Sequence, residues 1–348
     1  MTKKLISTAI AGGFIAGFAL VSTPATSAEV TLRTHTFIPP VANPGKTFVL
    51  PWSRKVEAAS KGRIKVENYW TMQLGGKPTQ LLDQARDGVV DVVLTLPGYT
   101  PGRMPKSEVV ELPFLHTTPQ ATTFALTDLM DTHLKKEWSE YKVISNFVHA
   151  GSMFMMRGKP ILKMSDLKGR KIRTATRTGV WYLKALGAVP VPAPLPSIPQ
   201  MLSKGVIEGA MLPFEIAPAV KMQELVSHFS ELSGSQPRMN TSIISLLMHP
   251  GSYNKMPPDL KKVIDGLSGR NIAKWAGQNW ADIEIPAKKI MQSKKKNKFY
   301  KIAPAEVDKM RAASQFAHKE WLRQMKKRGI DGEPVYRDAK ALIAKYSK

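Results

Sequence analysis

The chain has 348 residues and no cysteine, and its 51 Lys and Arg residues against 27 Asp and Glu give a formal net charge of +24. The absence of cysteine excludes disulfides, thiol catalysis and thiolate metal sites, and this length suffices to bury a core and to form two lobes. The basic excess admits nucleic-acid binding, but it is spread along the chain and no strand combines aromatic and basic residues, so a solvated basic surface that attracts anionic solutes is favoured.

The first 28 residues have the pattern of a secretory signal peptide. A basic start at Lys3 is followed by residues 5–21, which are almost wholly apolar or small, and then by small residues up to Ala28. This arrangement predicts cleavage after Ser27 or Ala28 and export of the mature chain. An uncleaved anchor helix is the alternative, and it is disfavoured because the apolar segment is short for a membrane span.

The next part of the chain alternates between strand and helix patterns. Apolar runs predict strands at residues 30–36, 63–69 and 90–96. Apolar residues at helical spacing predict helices at about 49–59 and 78–88, although Pro51 means that the first helix starts late or bends. Strand, helix, strand, helix, strand is the order expected of a parallel α/β sheet.

A second lobe is predicted to begin near Gly151. Its expected elements are strands at residues 153–156, 171–173 and 207–212 and helices at residues 176–186 and 198–203. Beyond them the pattern predicts a strand at 242–248, one long or bent helix at 260–292, and a helix around Trp321.

Two short segments of the sequence resemble each other. Residues 81–91 and 198–208 each read as a short amphipathic helix, a glycine, two β-branched residues and an acid. Two similar α/β lobes that face each other would produce such a repeat, and chance similarity is the alternative.

Residues 166–173 are the most informative stretch. Asp166 is expected to cap one helical turn, Gly169 suits a left-handed exit from that turn, and Arg173 then lies near the end of a short strand that precedes a helix. Open α/β sheets bind ligands at this place, and a guanidinium there can hold a carboxylate by two parallel hydrogen bonds. A surface arginine in a basic protein is the alternative.

The order of several such segments resembles a known family. The segments that carry the resemblance are residues 73–76, 81–91, 111–114, 166–173 and 205–210. Together, behind a signal peptide, they are similar to the extracytoplasmic solute receptors of the tripartite ATP-independent periplasmic (TRAP) transporters, the DctP family. The resemblance implies a periplasmic two-lobe α/β binding protein whose ligand cleft lies between the lobes, with crossing strands and a long helix spanning both.

The resemblance also implies a role and partners. A carboxylate-bearing solute is expected to form a salt bridge with Arg173, and the loaded receptor is expected to dock on the small and large membrane subunits of a sodium-driven permease. Lobe I is predicted to comprise residues 29–150 plus about 239–278. Lobe II is predicted to comprise residues 151–238 plus about 279–348.

Other candidate cleft residues follow from strand ends and lobe junctions. Trp70 is expected either to stack on a flat ligand or to pack in the core, and Gln73 either to donate to a carboxylate or to stitch its own loop. Tyr99 offers a hydroxyl at the cleft rim. His35 ends the first strand, and Met153 faces either the cleft or the core.

Phe214 and Glu215 follow a strand of the second lobe. Phe214 is expected to form an apolar wall over the solute. A carboxylate at Glu215 would repel an acidic ligand unless it met a donor group or a cation, which the family resemblance allows; the alternative is pairing with Lys221 or capping the next helix.

The expected pocket is less polar than is usual in such receptors. Leu96 and Leu212 stand where the sialic acid receptors of this family carry polar residues, so the resemblance favours a small organic monocarboxylate with an apolar or aromatic body over a dicarboxylate or keto acid. An α/β enzyme acting on small organic acids is a rival class, but no nucleophile elbow, zinc motif or phosphate loop is present. No cofactor, metal or nucleic-acid partner is predicted.

Overall fold

The computed structural model describes residues 28–234 and 238–348. All but the last residue of the predicted signal peptide lies outside this part of the chain. The strands, in chain order, are β1 (Val30–Thr36), β2 (Ile64–Tyr69), β3 (Val92–Thr95), β4 (Lys142–Val148), β5 (Met153–Met156), β6 (Lys171–Thr174), β7 (Val189–Pro192), β8 (Gly209–Leu212), β9 (His228–Leu232), β10 (Ile243–Met248) and β11 (Lys298–Ile302).

Helices surround these strands. In chain order they are α1 (Leu50–Ala59), α2 (Leu81–Arg86), α3 (Pro119–Leu129), α4 (Arg177–Ala185), α5 (Ile198–Ser203), α6 (Met222–Leu225), α7 (Pro250–Asn254), α8 (Pro258–Gly266), α9 (Arg270–Asp282), α10 (Glu284–Gln292), α11 (Pro304–Lys327) and α12 (Glu333–Tyr346). Two short 3-10 turns, Pro97–Tyr99 and Ser107–Glu111, matter for the site and for stability. The expected mixed α/β class is confirmed.

The strands form two sheets of related design. The first has the order β2-β1-β3-β10-β4 and the second the order β11-β9-β5-β8-β6-β7. In each sheet a single strand runs against its neighbours: β10 pairs antiparallel with β3 and β4, and β5 pairs antiparallel with β8 and β9. β5 is the first strand that the chain adds to the second sheet, and β10 is the strand with which it returns to the first. The chain therefore crosses between the sheets just before each of these two strands.

The predicted long helix is divided into α8, α9 and α10. Gly269, with φ of +56°, separates the first two, and the bend at Ile283 comes just before Pro286, which cannot donate to the carbonyl of residue 282. Because α9 packs on α3 and β4 while α10 packs on α6, the bent pair spans both sheets.

One hydrophobic core includes residues of both sheets and of α9. Trp280 of α9 packs between Phe48 and Phe147, with ring centroids 5.1 and 4.4 Å away. On the far side, α11 packs on α4, and its Trp321 donates from Nε1 to the carbonyl oxygen of Pro105 at 2.9 Å. The C-terminal α12 lies against α3, beside the first sheet. The bounds of the two lobes stay a prediction.

Candidate functional site

A cavity lies between the two sheets. Its volume is about 60 Å³, several times the roughly 10–15 Å³ that one bound water needs. Most of its wall is apolar, and the apolar residues include Phe37, Ile38, Leu94, Leu96, Ile244 and Trp280 together with Leu195, Met211, Leu212, Pro213 and Ile216. The polar residues of its wall are Tyr99, His149, Ser152, Arg173, Thr174, Glu215, Asn240 and Ser242, of which Arg173, Tyr99, His149 and Glu215 are ionisable.

Arg173 is the one Lys or Arg among the described residues that line the cavity. It lies on β6 between its register partners Val191 of β7 and Ala210 of β8, and its side chain is only 2% exposed. Its Nε donates to the carbonyl oxygen of Ala193 at 2.8 Å, and within residues 28–234 and 238–348 no carboxylate pairs with it. Burial lowers the pKa of Arg173, which shows how poorly solvated this cation is.

Tyr99 joins the two sides of the cavity. It ends the 3-10 turn that follows β3, and its hydroxyl oxygen accepts a hydrogen bond of 3.0 Å from the backbone N–H of Leu195. The same hydroxyl is hydrogen-bonded to Arg173, and burial raises the pKa of Tyr99, so the phenol stays neutral. The sequence-predicted pair Arg173 and Tyr99 is thus brought together in the cavity wall.

His149 is a cavity residue that the sequence analysis missed. It follows β4, and its Nδ1 accepts a hydrogen bond of 2.9 Å from the backbone N–H of Gly151. Burial, with His116 and Arg173 nearby, holds the pKa of His149 well below its usual range, so the ring is neutral. A neutral imidazole that accepts at Nδ1 carries its proton on Nε2, and this N–H is an uncharged donor that an anion in the cavity can use.

Glu215 also lines the cavity and is 2% exposed. Its backbone N–H donates to Oε2 of Glu284 at 2.9 Å. Burial and the neighbouring Glu284 carboxylate raise the pKa of Glu215 well above its usual range, so its carboxyl is protonated. No ion pair joins Glu215 to Lys221 in the part of the chain that the structure describes.

Three residues that the sequence places in the cleft, on the side of the first sheet, do not line the cavity and make local contacts instead. Gln73 accepts a hydrogen bond of 2.9 Å at Oε1 from the backbone N–H of Trp70, and this bond stabilises the loop that contains both residues. Trp70 itself is buried in the core. His35 contacts Oε1 of Gln84 at 2.8 Å through Nδ1 and accepts from the backbone N–H of Leu74 at 3.3 Å through Nε2, so both ring nitrogens are used.

Two predicted residues of the second sheet's side are likewise part of the core. Phe214 packs against Phe229 and Phe299, each with ring centroids 6.2 Å away, behind the cavity wall. Met153 is the first residue of β5, where it pairs with Leu212 of β8, and it is 1% exposed. Their neighbours Glu215 and Leu212, and not these two side chains, form the wall.

Two features of the described residues bear on the site. In the described ranges, His, Asp and Glu side chains nowhere converge in groups of three that could hold a metal ion. None of the helices within residues 28–234 and 238–348 combines the length and apolar character needed to cross a bilayer.

Comparison with solved structures shows close similarity over almost the whole chain. A TRAP solute-binding protein from an unidentified marine microbe, specific for aromatic acid ligands, is 42% identical, with a TM-score of 0.90 over 92% of this chain and 100% of that one, and was solved with 3-hydroxybenzoate. A second structure of that protein, a surface mutant with the same identity and coverage and a TM-score of 0.89, contains metahydroxyphenylacetate.

A protein from Rhodoferax ferrireducens is similar to the same extent. This TRAP solute-binding protein is 41% identical, with a TM-score of 0.89 over 91% of this chain and 98% of that one, and was solved with copurified benzoate. In addition, residues 37–324 match the family of bacterial extracellular solute-binding proteins, family 7. The chain therefore belongs to that family, DctP, and is a TRAP extracytoplasmic solute receptor.

Proposed function

We propose that this receptor binds an aromatic monocarboxylate, or an acid with a similarly apolar body. The observation that carries the proposal is Arg173, a buried guanidinium without a carboxylate partner in the described chain, set in an apolar cavity. A buried cation is costly unless an anion pairs with it, and a planar guanidinium matches a carboxylate by two parallel hydrogen bonds. Since the cavity wall has no second Lys or Arg among the described residues, one carboxylate is favoured over two.

The similar proteins support this ligand class. The marine and Rhodoferax ferrireducens proteins, at 42% and 41% identity, were solved with 3-hydroxybenzoate and benzoate respectively. Both ligands have one carboxylate on a flat apolar ring, which is the combination that a lone arginine in an apolar cavity would accept.

The proposed binding step is closure of the lobes over the solute. Arg173 comes from the second sheet, and Tyr99 and His149 follow strands of the first. A carboxylate that contacts groups from both sides gains its full set of hydrogen bonds only when the sides meet, so binding favours the closed arrangement.

We further propose that the mature chain works in the periplasm. The signal-like sequence of residues 1–28 would direct its export, and the loaded receptor would pass its solute to the small and large membrane subunits of a sodium-driven permease. The bounds proposed for the lobes are those predicted above, residues 29–150 plus about 239–278 and residues 151–238 plus about 279–348.

Replacing Arg173 tests the proposal. Arg173→Ala should weaken binding of benzoate and hydroxybenzoates by about 2–5 kcal/mol, or roughly 30-fold to several thousand-fold in Kd, because the ligand carboxylate loses its buried partner. Isothermal titration of the purified mature protein measures the change. Lys171→Ala, on the same strand but exposed, is the matched control and should leave Kd unaltered. Near-normal affinity in Arg173→Ala, or tighter binding of uncharged benzamide than of benzoate, would contradict the proposal.

A further inference from the structure

Glu215 has a buried carboxyl oxygen, Oε2, for which residues 28–234 and 238–348 supply no hydrogen-bond donor. The residue lines the cavity, and its side chain is almost fully buried. An orphan acceptor of this kind is costly in a dry interior. Because the atom belongs to a residue of the cavity wall, a bound ligand is the natural source of the missing donor.

The surroundings of Glu215 explain how an acid can stand beside an acidic ligand. Its carboxyl is hydrogen-bonded to Glu284, and Glu284 is in turn paired with Arg238, whose Nη2 lies 2.8 Å from Oε1. Two adjacent buried carboxyl groups cannot both be ionised at low cost, so the pair holds one proton. The guanidinium favours the charge on Glu284, which leaves the proton on Glu215.

A protonated carboxyl has two different oxygens. One carries the proton and can donate it to Glu284, and the other is a neutral carbonyl-type oxygen that can only accept. Such an oxygen accepts a hydroxyl proton but does not repel the carboxylate that Arg173 binds, as an ionised glutamate in the same wall would.

We propose that the Glu215 carboxyl accepts a hydrogen bond from a ring hydroxyl of the ligand, and so selects hydroxylated aromatic acids over unsubstituted ones. This inference rests on the proposed function and refines it. A site whose buried polar group needs a ligand hydroxyl discriminates strongly against the analogue that lacks it. Asn240 and Trp280 are the competing candidates, because Oδ1 and Nε1 of these cavity residues are also buried and have no hydrogen-bond partner in the described part of the chain.

The test compares benzoate with 2-, 3- and 4-hydroxybenzoate by isothermal titration. The wild-type protein should bind its best hydroxybenzoate at least about tenfold more tightly than benzoate. Glu215→Gln should keep this ratio within about threefold, since the amide can donate to Glu284 and still present an oxygen to the ligand. Glu215→Met, similar in shape but apolar, should reduce the ratio to about one, because the ligand hydroxyl loses its acceptor and the two affinities are compared within the same variant.

Each outcome decides a specific point. A preference for hydroxybenzoate that survives in Glu215→Met overturns the role of Glu215 and points to Asn240 or Trp280. Loss of the preference in Glu215→Gln would mean that Glu215 acts as an anion, contrary to the proposal. Equal wild-type affinity for benzoate and every hydroxybenzoate overturns the inference without any variant, while the proposed function stands; no binding of any of these acids overturns the proposed function itself.

Discussion

Gly98 marks a point of close approach between the two sides of the cleft. It lies in the 3-10 turn that presents Tyr99, and a Cβ added to it would lie 2.6 Å from Cγ2 of Thr176. Thr176 is the N-cap of α4 and accepts a hydrogen bond from the backbone N–H of Gly179. The two residues belong to opposite sides of the cleft, so the missing side chain at Gly98 is what allows this contact.

We expect Gly98→Ala to weaken solute binding. The added methyl should destabilise the closed arrangement by about 1–3 kcal/mol and leave the separated one untouched, so the Kd for benzoate or a hydroxybenzoate should rise by about 5- to 150-fold. Thr176→Ser removes the clashing methyl but retains the capping hydroxyl, and should partly restore affinity in the double variant. Gly158→Ala, with no atom within 4 Å of the new methyl, is the control. Unchanged affinity in Gly98→Ala would show that this contact does not form on binding.

Individual site residues were only partly predictable from sequence. Arg173 was identified because a strand, a motif and a basic side chain coincide there. His149 also follows a strand, β4, but the sequence pattern does not predict that strand. Without a predicted strand before it, a single histidine gives no indication of a place in the cavity. For Trp70 and Phe214 the sequence shows an aromatic residue near a strand end, and only packing decides whether the ring faces the cavity or the core.

At the scale of elements, alternation and apolar runs predicted β1, β2, β3, β5, β6, β8 and β10, all of which are confirmed. The strand β7 was missed because Pro190 and Pro192 interrupt its pattern. It tolerates them because it is the outermost strand of the second sheet, where one side of the backbone has no strand to pair with. The division of the predicted helix into α8, α9 and α10 depends on single residues, Gly269 and Pro286, within an otherwise continuous helical pattern.

The packing of α9 on α3 leads to a prediction about stability. A Cβ added at Gly277 of α9 would lie 2.7 Å from the Cα of Gln120 in α3, and a backbone atom cannot move aside as a side chain can. Gly277→Ala should therefore destabilise the protein by about 1–3 kcal/mol and lower its Tm. Gly266→Ala, in α8 with open space around the new methyl, should be neutral or slightly stabilising. Equal Tm values for the two variants would contradict the close helix contact.

For the molecule as a whole, one buried acid links stability to pH. Glu111, in the turn Ser107–Glu111, is 2% exposed, and its Oε1 accepts a hydrogen bond of 2.9 Å from the backbone N–H of Ile243, where β10 begins. Burial raises the pKa of Glu111 to about 8. The folded chain thus binds this proton more tightly than the unfolded chain, whose glutamates titrate near their ordinary value of about 4.3.

The free energy of unfolding should therefore fall as the pH rises. The contribution of Glu111 is fully present below its unfolded pKa and is lost as the pH approaches about 8, with a slope of at most about 1.4 kcal/mol per pH unit. Urea denaturation between about pH 5 and about pH 9 should show this slope in the wild type and a flatter profile in Glu111→Gln. His116, whose burial lowers its pKa to about 4, acts in the opposite direction but is common to both proteins. Parallel profiles would rule out Glu111 as the source.

The position of β10 in the first sheet has a consequence for the order in which the chain acquires its structure. The strand lies between β3 and β4, yet in the sequence it follows β5 to β9 of the second sheet. Until β10 is in place, β3 and β4 therefore lack their common neighbour, and the backbone N–H and C=O groups along these two edges have no strand to pair with. The N-terminal half cannot complete its folding first, as the early domain of a tandem protein does. The first sheet becomes complete only when β10 is added, and a chain truncated before residue 243 would expose two unpaired strand edges to aggregation.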